Sequence, residues 1–462
     1  MATIIEQHPE YETLPTGQDV IFSVSNTPIV AGFSGVKIIA EVHISSDLPP
    51  NLSTVDDLVG TFKTTPNNAG VGMFDFRPII ESFVSTDNLA REGSAYKTVV
   101  NNTDTNVPIH MIDMYSESIN AMRYLAIVFT TEYIDNSGNL VIDSTSDNSD
   151  TYKVFNGYLK YTDVLDLVGV NFGYNLSDFS LSANTDSFLS NAPTIQYANL
   201  DDYGVISILA LNKDLHYIKL NYLDSTGTQI DTENVFKTTL NGAYDFYDAS
   251  ITKKILYFGC FPANLQGRSS KFRALISAGT IQGGSIEVQA FNNQIGGQIS
   301  KKYTINLNCP TLKGFKPIRL TWLNQWGTWD YYTFTMKSAK MISTKGSTYQ
   351  QLSGSWNESS YRIDSFKGGK KAFRVNATEK ITMNTDFVNE AESEWFEELI
   401  NSPEVYILES YRLETTFTAL NQYVTPARLT TSSYTKKTIA NDKLMQYTFE
   451  IEKSKTLRTQ SI

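Results

Sequence analysis

Cysteine is almost missing from this chain. Its 462 residues hold only Cys260 and Cys309, too few for a disulfide framework and without the paired spacing of a zinc site, so two buried thiols are the plain reading. Histidine is as scarce. His8, His43, His110 and His216 show no i, i+4 pair and no acidic partner pattern, which argues against a metal site or a nucleophilic triad and for surface or strand positions. Gly-x-Ser-x-Gly, Walker-type and His-Glu-x-x-His motifs are absent, and no Gly-x-Gly-x-x-Gly bridges a strand and a helix. From these absences no catalytic set, cofactor or metal is expected. No run approaches the roughly 18 consecutive apolar residues of a membrane helix, and the opening Met-Ala-Thr-Ile-Ile-Glu-Gln-His-Pro-Glu lacks a basic start and an apolar core. The chain is expected to be made in the cytoplasm and to stay soluble, with no membrane insertion of its own.

Charge is also thin, at 19% of residues, while Tyr, Phe, Thr, Ser and Asn are plentiful and helix formers few. That balance suits strands. The expected fold class is mainly β: multi-domain antiparallel β-sandwiches with a few short helices, since the length is too great for one ordinary core. Net charge is −11, distributed as −15 over the first 310 residues and +4 from Thr311 onward. An acidic front argues against a nucleic-acid groove there and is compatible with unlike surfaces of successive copies meeting.

Four segments follow from the pattern: an arm over 1–14, a sandwich over 15–180, a second sandwich over 181–310, and a Trp-rich β domain over 311–462. In the first sandwich, Pro78 suits a first helical position, and Ile79, Ile80, Phe83 and Val84 fall on one side of a short helix expected to plug its end. Asp135, Asp143, Asp147 and Asp150 lie in polar loops whose spacing lacks the glycine and twelfth-position glutamate of an EF-hand, so solvated turns are preferred to calcium ligands. Periodicity fades around 165–190, where a boundary is placed.

The last third holds all five tryptophans: Trp322, Trp326, Trp329, Trp356 and Trp395. Apolar residues alternate at Ile318, Leu320 and Trp322 and again at Tyr332, Phe334 and Met336, around a reversal containing Asn324, Gly327 and Asp330, which reads as a hairpin. Trp326, Trp329 and Tyr331 near its tip are the candidate contact residues: they either cover the domain's own core, insert into a partner protein, or stack on sugar. Next comes a Lys/Ser/Thr/Gly-rich excursion from Ser338 to Gly369. A helix is predicted over 389–400, capped by Asn389, with Trp395 and Leu399 four residues apart; its neighbours Glu397 and Glu398 are expected to be solvated. The tail after Lys453 is polar and reads as loose.

Three stretches carry a family resemblance: residues 72–84 (Gly-Met-Phe-Asp-Phe-Arg-Pro-Ile-Ile-Glu-Ser-Phe-Val), 320–334 (Leu-Thr-Trp-Leu-Asn-Gln-Trp-Gly-Thr-Trp-Asp-Tyr-Tyr-Thr-Phe) and 395–407 (Trp-Phe-Glu-Glu-Leu-Ile-Asn-Ser-Pro-Glu-Val-Tyr-Ile). With them the chain resembles virion structural proteins, of the neck and tail rings or tail hub, of crAss-like and related tailed bacteriophages. The resemblance implies a non-enzymatic building block. It implies a sixfold or twelvefold cyclic homo-oligomer around the DNA channel, other phage neck and tail proteins as neighbours, DNA passing the lumen without sequence recognition, and a place in the virion. Two other classes stay open: a carbohydrate-binding tail-fibre or adhesin module, and a virion glycan hydrolase whose two carboxylates, about 5 to 10 Å apart, come from distant positions.

Overall fold

The computed structural model describes residues 3–9, 12–46, 49–90, 107–158, 186–210, 215–236, 254–292, 297–308, 315–356, 359–408, 423–433, 435, 445–455 and 457–461. Cys309 and most of the boundary expected around 165–190 lie outside them, as does the expected start of the last domain at Thr311. The chain divides into two compact units. One comprises Met1–Cys309, Leu323–Asp330 and Tyr411–Asn421; the other comprises Pro310–Trp322, Tyr331–Ser410 and Gln422–Ile462.

The first unit begins with β1 (Ile4–Gln7), β2 (Thr13–Pro15), β3 (Ile21–Ser25), β4 (Ser34–Ser45), β5 (Leu58–Thr64), β6 (Val71–Asp75), β7 (Tyr115–Glu117), β8 (Met122–Ile134), β9 (Leu140–Ile142), β10 (Asp147–Asn148) and β11 (Tyr152–Phe155). A three-stranded sheet, β1-β3-β6, and a seven-stranded sheet, β2-β11-β8-β4-β5 with β9 and β10 on β8, share one core. Period-two alternation builds it: Phe22 and Val24, Ile38, Ala40 and Val42, and Leu125, Ile127 and Phe129 all point inward. Here the N-terminal segment is held by pairing, Ile4 to Ser25 and Leu14 to Val154. The helix after β6 is a single turn, Arg77–Ile80; Ile80 and the following Val84 are buried, whereas Phe83 is 40% exposed.

The unit continues with β12 (Ile195–Ala198), β13 (Val205–Ala210), β14 (Tyr217–Leu223), β15 (Gln229–Phe236), β16 (Lys254–Gly259), β17 (Ser285–Phe291) and β18 (Tyr303–Leu307). They form a five-stranded sheet, β12-β18-β17-β14-β15, and a three-stranded one, β13-β16-β7, in which β7 returns from the earlier stretch to pair with Leu256, Tyr257 and Phe258. Two helices the sequence pattern did not announce, Pro262–Arg268 and Ser270–Ser277, follow β16; Ser269 caps the second by accepting from the Phe272 amide.

In the second unit β19 (Ile318–Leu323), β20 (Trp329–Phe334), β21 (Ser338–Gln351), β22 (Gly354–Ser355), β23 (Arg362–Ile363), β24 (Gly369–Asn384), β25 (Val405–Leu408), β26 (Val424–Leu429), β27 (Thr448–Lys453) and β28 (Leu457–Ser461) give an eight-stranded sheet and a two-stranded tip, β22-β23. The sheet order is β20-β19-β25-β26-β27-β24-β21, with β28 on β24. The C-terminal tail is therefore not loose: its polar residues form an edge pairing with Arg374–Ala377 of β24, for which backbone groups suffice. Helix Glu390–Asn401 starts on a reciprocal cap, Asn389 Oδ1 accepting from the Glu392 amide and Glu392 Oε2 from the Asn389 amide, both at 2.9 Å. Its apolar stripe meets the sheet: the Trp395 and Trp322 rings lie 4.8 Å apart and Phe396 contacts Tyr332, Phe334 and Phe449. Glu398 is buried rather than solvated, because it lies on the same stripe as Trp395.

Candidate protein-interaction surface

The structure places the three predicted contact residues inside the chain. Trp326, Trp329 and Tyr331 expose 3%, 2% and 4% of their surface, so no ring face is left for a partner or a sugar. The local reason is the turn. Asn324 accepts from the Trp326 and Thr328 amides through Oδ1, the Asn324 amide donates to the Thr328 carbonyl, and Gly327 takes a φ of 71°, open to glycine at little cost. A compact turn results.

Its polar groups are then met by distant parts of the first unit. Thr328 Oγ1 and Asn324 Nδ2 donate to the Leu189 carbonyl at 2.9 and 3.0 Å, Ser190 Oγ donates to Asp330 at 2.7 Å, and the Tyr158 amide donates to the Gln325 carbonyl at 3.1 Å. Trp329 Nε1 donates to the Asp87 carbonyl at 2.9 Å, and the His110 ring stands edge-on to the indole at 4.7 Å. His110 is therefore a buried packing residue in a 3-10 turn, neither surface nor strand. The Asp87 carboxyl accepts from the amides of Ile119, Asn120 and Ala121 and from the Tyr257 hydroxyl. Burial raises its pKa above the usual carboxylate value, against these bonds. In the second unit, Tyr331 is covered by the Arg319 guanidinium 5.2 Å above its ring, while Arg319 Nη1 donates to Thr333 Oγ1.

Trp356 is the exception among the tryptophans, with 78% of its surface exposed. It belongs to the excursion after the first hairpin, which is an ordered ribbon. The 14-residue β21 and the 16-residue β24 pair antiparallel from Ser338↔Met383 to Gln351↔Gly369, with one register shift between Ser347 and Thr348, and β21 is exposed along nearly its whole length. At about 3.3 Å per residue the ribbon extends some 45 Å. Its root is tied down by Glu379, 3.4 Å from Lys340 of β21 and 3.3 Å from Lys453 of β27. Burial works against ionisation of Glu379, but Lys453 and Lys340 outweigh it and hold the pKa below the ordinary value.

Beyond the ribbon the chain folds on itself. Ser355 Oγ donates to Asp364 at 2.5 Å, Lys367 Nζ donates to Ser355 Oγ at 2.6 Å, and the Asp364 amide donates to the Ser353 carbonyl at 3.0 Å. Lys371 Nζ closes the end on the Phe366 carbonyl at 3.2 Å. Around this small polar centre Leu352, Trp356, Ile363 and Phe366 stand 72 to 78% exposed. Four large apolar side chains stand outward at the tip, which is unusual for a soluble surface and makes it the candidate contact surface. Residues 338–384 also hold eight Lys or Arg against three Asp or Glu, so the ribbon is basic on a chain of net charge −11. Arg362 and Lys370 are exposed at the tip.

Among the described residues no group of three or more His, Cys, Asp or Glu is placed to hold a metal ion. Asp135 accepts from the Ser137 and Asn139 amides, Asp143 from Thr145 and Asn26, and Asp147 from the Ile5 amide. Asp135 organises its own turn, while Asp143 and Asp147 also tie their loop to Asn26 and to the N-terminal strand at Ile5. Among the described residues no helix is long and apolar enough to cross a membrane.

No family model matches this chain, and no curated protein matches it. Among solved structures it is similar to E. coli alpha-2-macroglobulin in its native conformation, determined by cryo-electron microscopy, at 9% identity over 82% of this chain and 22% of that one, with a TM-score of 0.18. The chain thus spans about a fifth of that protein's length, and so low a score establishes no common fold.

Proposed function

We propose that the chain is a structural subunit of a tailed-bacteriophage virion, assembling in several copies into a sixfold or twelvefold ring of the neck or tail around the DNA channel. The assembly half of this reading rests on one observation, the solvent-facing ribbon with its four outward apolar side chains, which has the form of an element that meets another molecule. The virion half rests on the resemblance carried by residues 72–84, 320–334 and 395–407. In such a ring other neck and tail proteins are its neighbours, DNA crosses the lumen without being read, and the subunit performs no reaction.

Sedimentation and electron microscopy of the purified chain test the reading. Closed rings of uniform copy number are expected, and a chain that stays monomeric up to high concentration rejects it. A second reading, a sugar-binding module of a fibre or adhesin, is favoured by the exposure of Trp356, since an open indole can stack on a pyranose ring. Glycan binding by the monomer that vanishes in Trp356→Ala would replace the first reading with the second.

A further inference from the structure

One face of the ribbon's outer half carries a ladder of cations. Residues opposite each other in an antiparallel pair share a face, so Lys345 with Asn376, Ser347 with Arg374, and Tyr349 with Lys371 form three rungs on one side. Each rung brings one base, and the rungs together span about 13 Å. Lys345 and Arg374 are exposed and Lys371 is half-buried. No acid of β21 or β24 shares this face, because Glu379 pairs opposite Ile342 and so lies on the other side with Lys340. Carboxylates reach this side of the sheet only at the ribbon's root, where Glu450 of β27 holds Lys380 at 3.1 Å.

A break in the pairing adds aromatic rings to the ladder. The register shifts between Ser347 and Thr348, which makes Phe373 the extra residue of β24. Strict alternation would send Phe373 to the face opposite Arg374. The bulge turns it to the same side instead, and its ring stands edge-on to Tyr349 with centroids 6.4 Å apart. Tyr349 and Phe373 are 37% and 46% exposed. Arg374 Nε donates to Asn376 Oδ1 at 3.2 Å, a bond that orients the guanidinium and leaves its terminal N–H groups for a ligand.

We propose that this face binds single-stranded nucleic acid, with phosphates on Lys345, Arg374 and Lys371 and bases stacked on Tyr349 and Phe373. The assembly reading above rests on the apolar tip and gives nucleic acid no surface; this site goes beyond it and holds whether or not the chain closes a ring. The combination selects the ligand. An acidic protein surface would use the cations and leave the rings idle, a neutral sugar would use the rings and leave the cations idle, and a duplex keeps its base faces inside its own stack. An unpaired strand offers phosphate and open base faces together, and both kinds of contact tolerate any sequence.

The test is fluorescence anisotropy of the full-length chain with a labelled oligothymidylate of about 20 nucleotides, with the same strand made duplex and with inorganic polyphosphate as comparisons. The single strand should bind more tightly than the duplex. Lys345→Ala with Arg374→Ala should leave the melting curve unchanged, weaken binding roughly tenfold or more, and lower the slope of log affinity against log salt by about 0.7 for each cation removed. Tyr349→Ala with Phe373→Ala should weaken the oligothymidylate roughly tenfold and leave polyphosphate unchanged, whereas Tyr349→Phe, which keeps the ring, should bind as wild type does. Absence of binding at low salt overturns the proposal, as does binding that survives both double variants. Equal loss of oligothymidylate and polyphosphate in the aromatic variant also overturns it, leaving a surface for anions in general. None of these results touches the assembly reading, which sedimentation decides separately.

Discussion

Two neighbouring hairpins of this chain, 318–334 and 338–384, differ in a way that composition alone does not predict. The first has an aromatic tip and a dense cluster of tryptophans, and it is buried; the second reads as a polar excursion, and it carries the exposed tryptophan. The difference lies in where the backbone and polar groups of each tip find partners. Asn324, Gln325, Thr328, Asp330 and the Trp329 ring are met by residues 87, 158, 189 and 190, whereas the second tip satisfies Ser353, Ser355, Asp364, Lys367 and Lys371 within itself. A tip that is closed on its own terms needs nothing from the rest of the chain, and its apolar residues are left to be covered by something else.

The sharpest way to break this comparison is Trp329→Ala. Removing a buried indole with its donor bond to Asp87 should cost about 3–5 kcal/mol, seen as a lower denaturation midpoint. Gly327→Ala should follow. The positive φ alone costs of order 1 kcal/mol for a residue with a Cβ, and that Cβ would stand 1.9 Å from the Asn156 carbonyl oxygen, so the turn must lift away. Far smaller is Glu379→Gln at the ribbon root, about 0.5 kcal/mol and reduced by salt. Because the folded pKa of Glu379 is depressed, its contribution is present above the unfolded value of 4.5 and lost as pH falls through the folded one; the buried Asp87, raised above 3.8, has the opposite sign and loses its contribution as pH rises through its folded value. Stability profiles of Glu379→Gln and Asp87→Asn against wild type should therefore diverge in opposite directions with pH. Smallest of all is Trp356→Ala, expected to move the midpoint by no more than about 0.5 kcal/mol while weakening self-association. A large loss of stability there would erase the distinction between the two tips.

Much of the fold is legible in the residues. The β class, the hairpin around Gly327, and the helix with its Asn389 cap all follow from period and cap chemistry, because those signals act over a few positions. Helices Pro262–Arg268 and Ser270–Ser277 were within reach as well, through Pro262 at a first helical position and Ser269 as a cap, but their apolar residues follow no long stripe. The candidate site was not legible in the same way. That Trp329 is buried depends on Asp87 and His110, more than two hundred positions upstream, and alternation cannot express that: β19 is buried at every residue, polar ones included. Nor does a run rich in Ser, Thr and Lys announce that it ends in a self-supporting apolar cluster; only the hydrogen bonds among Ser355, Asp364 and Lys367 show it.

The assignment of Leu323–Asp330 to the same unit as Met1–Cys309 has a consequence for synthesis. A polypeptide leaving the ribosome delivers residues 1–309 before the strip that fills the nook between Asp87, His110 and Leu189, so at that moment the carbonyls of Asp87 and Leu189 lack Trp329, Asn324 and Thr328 as donors. Closure of the N-terminal half waits on a segment made later. A fragment stopped at Cys309 is accordingly an unfinished fold, and the nascent chain reaches its native state only after the tryptophan turn has emerged.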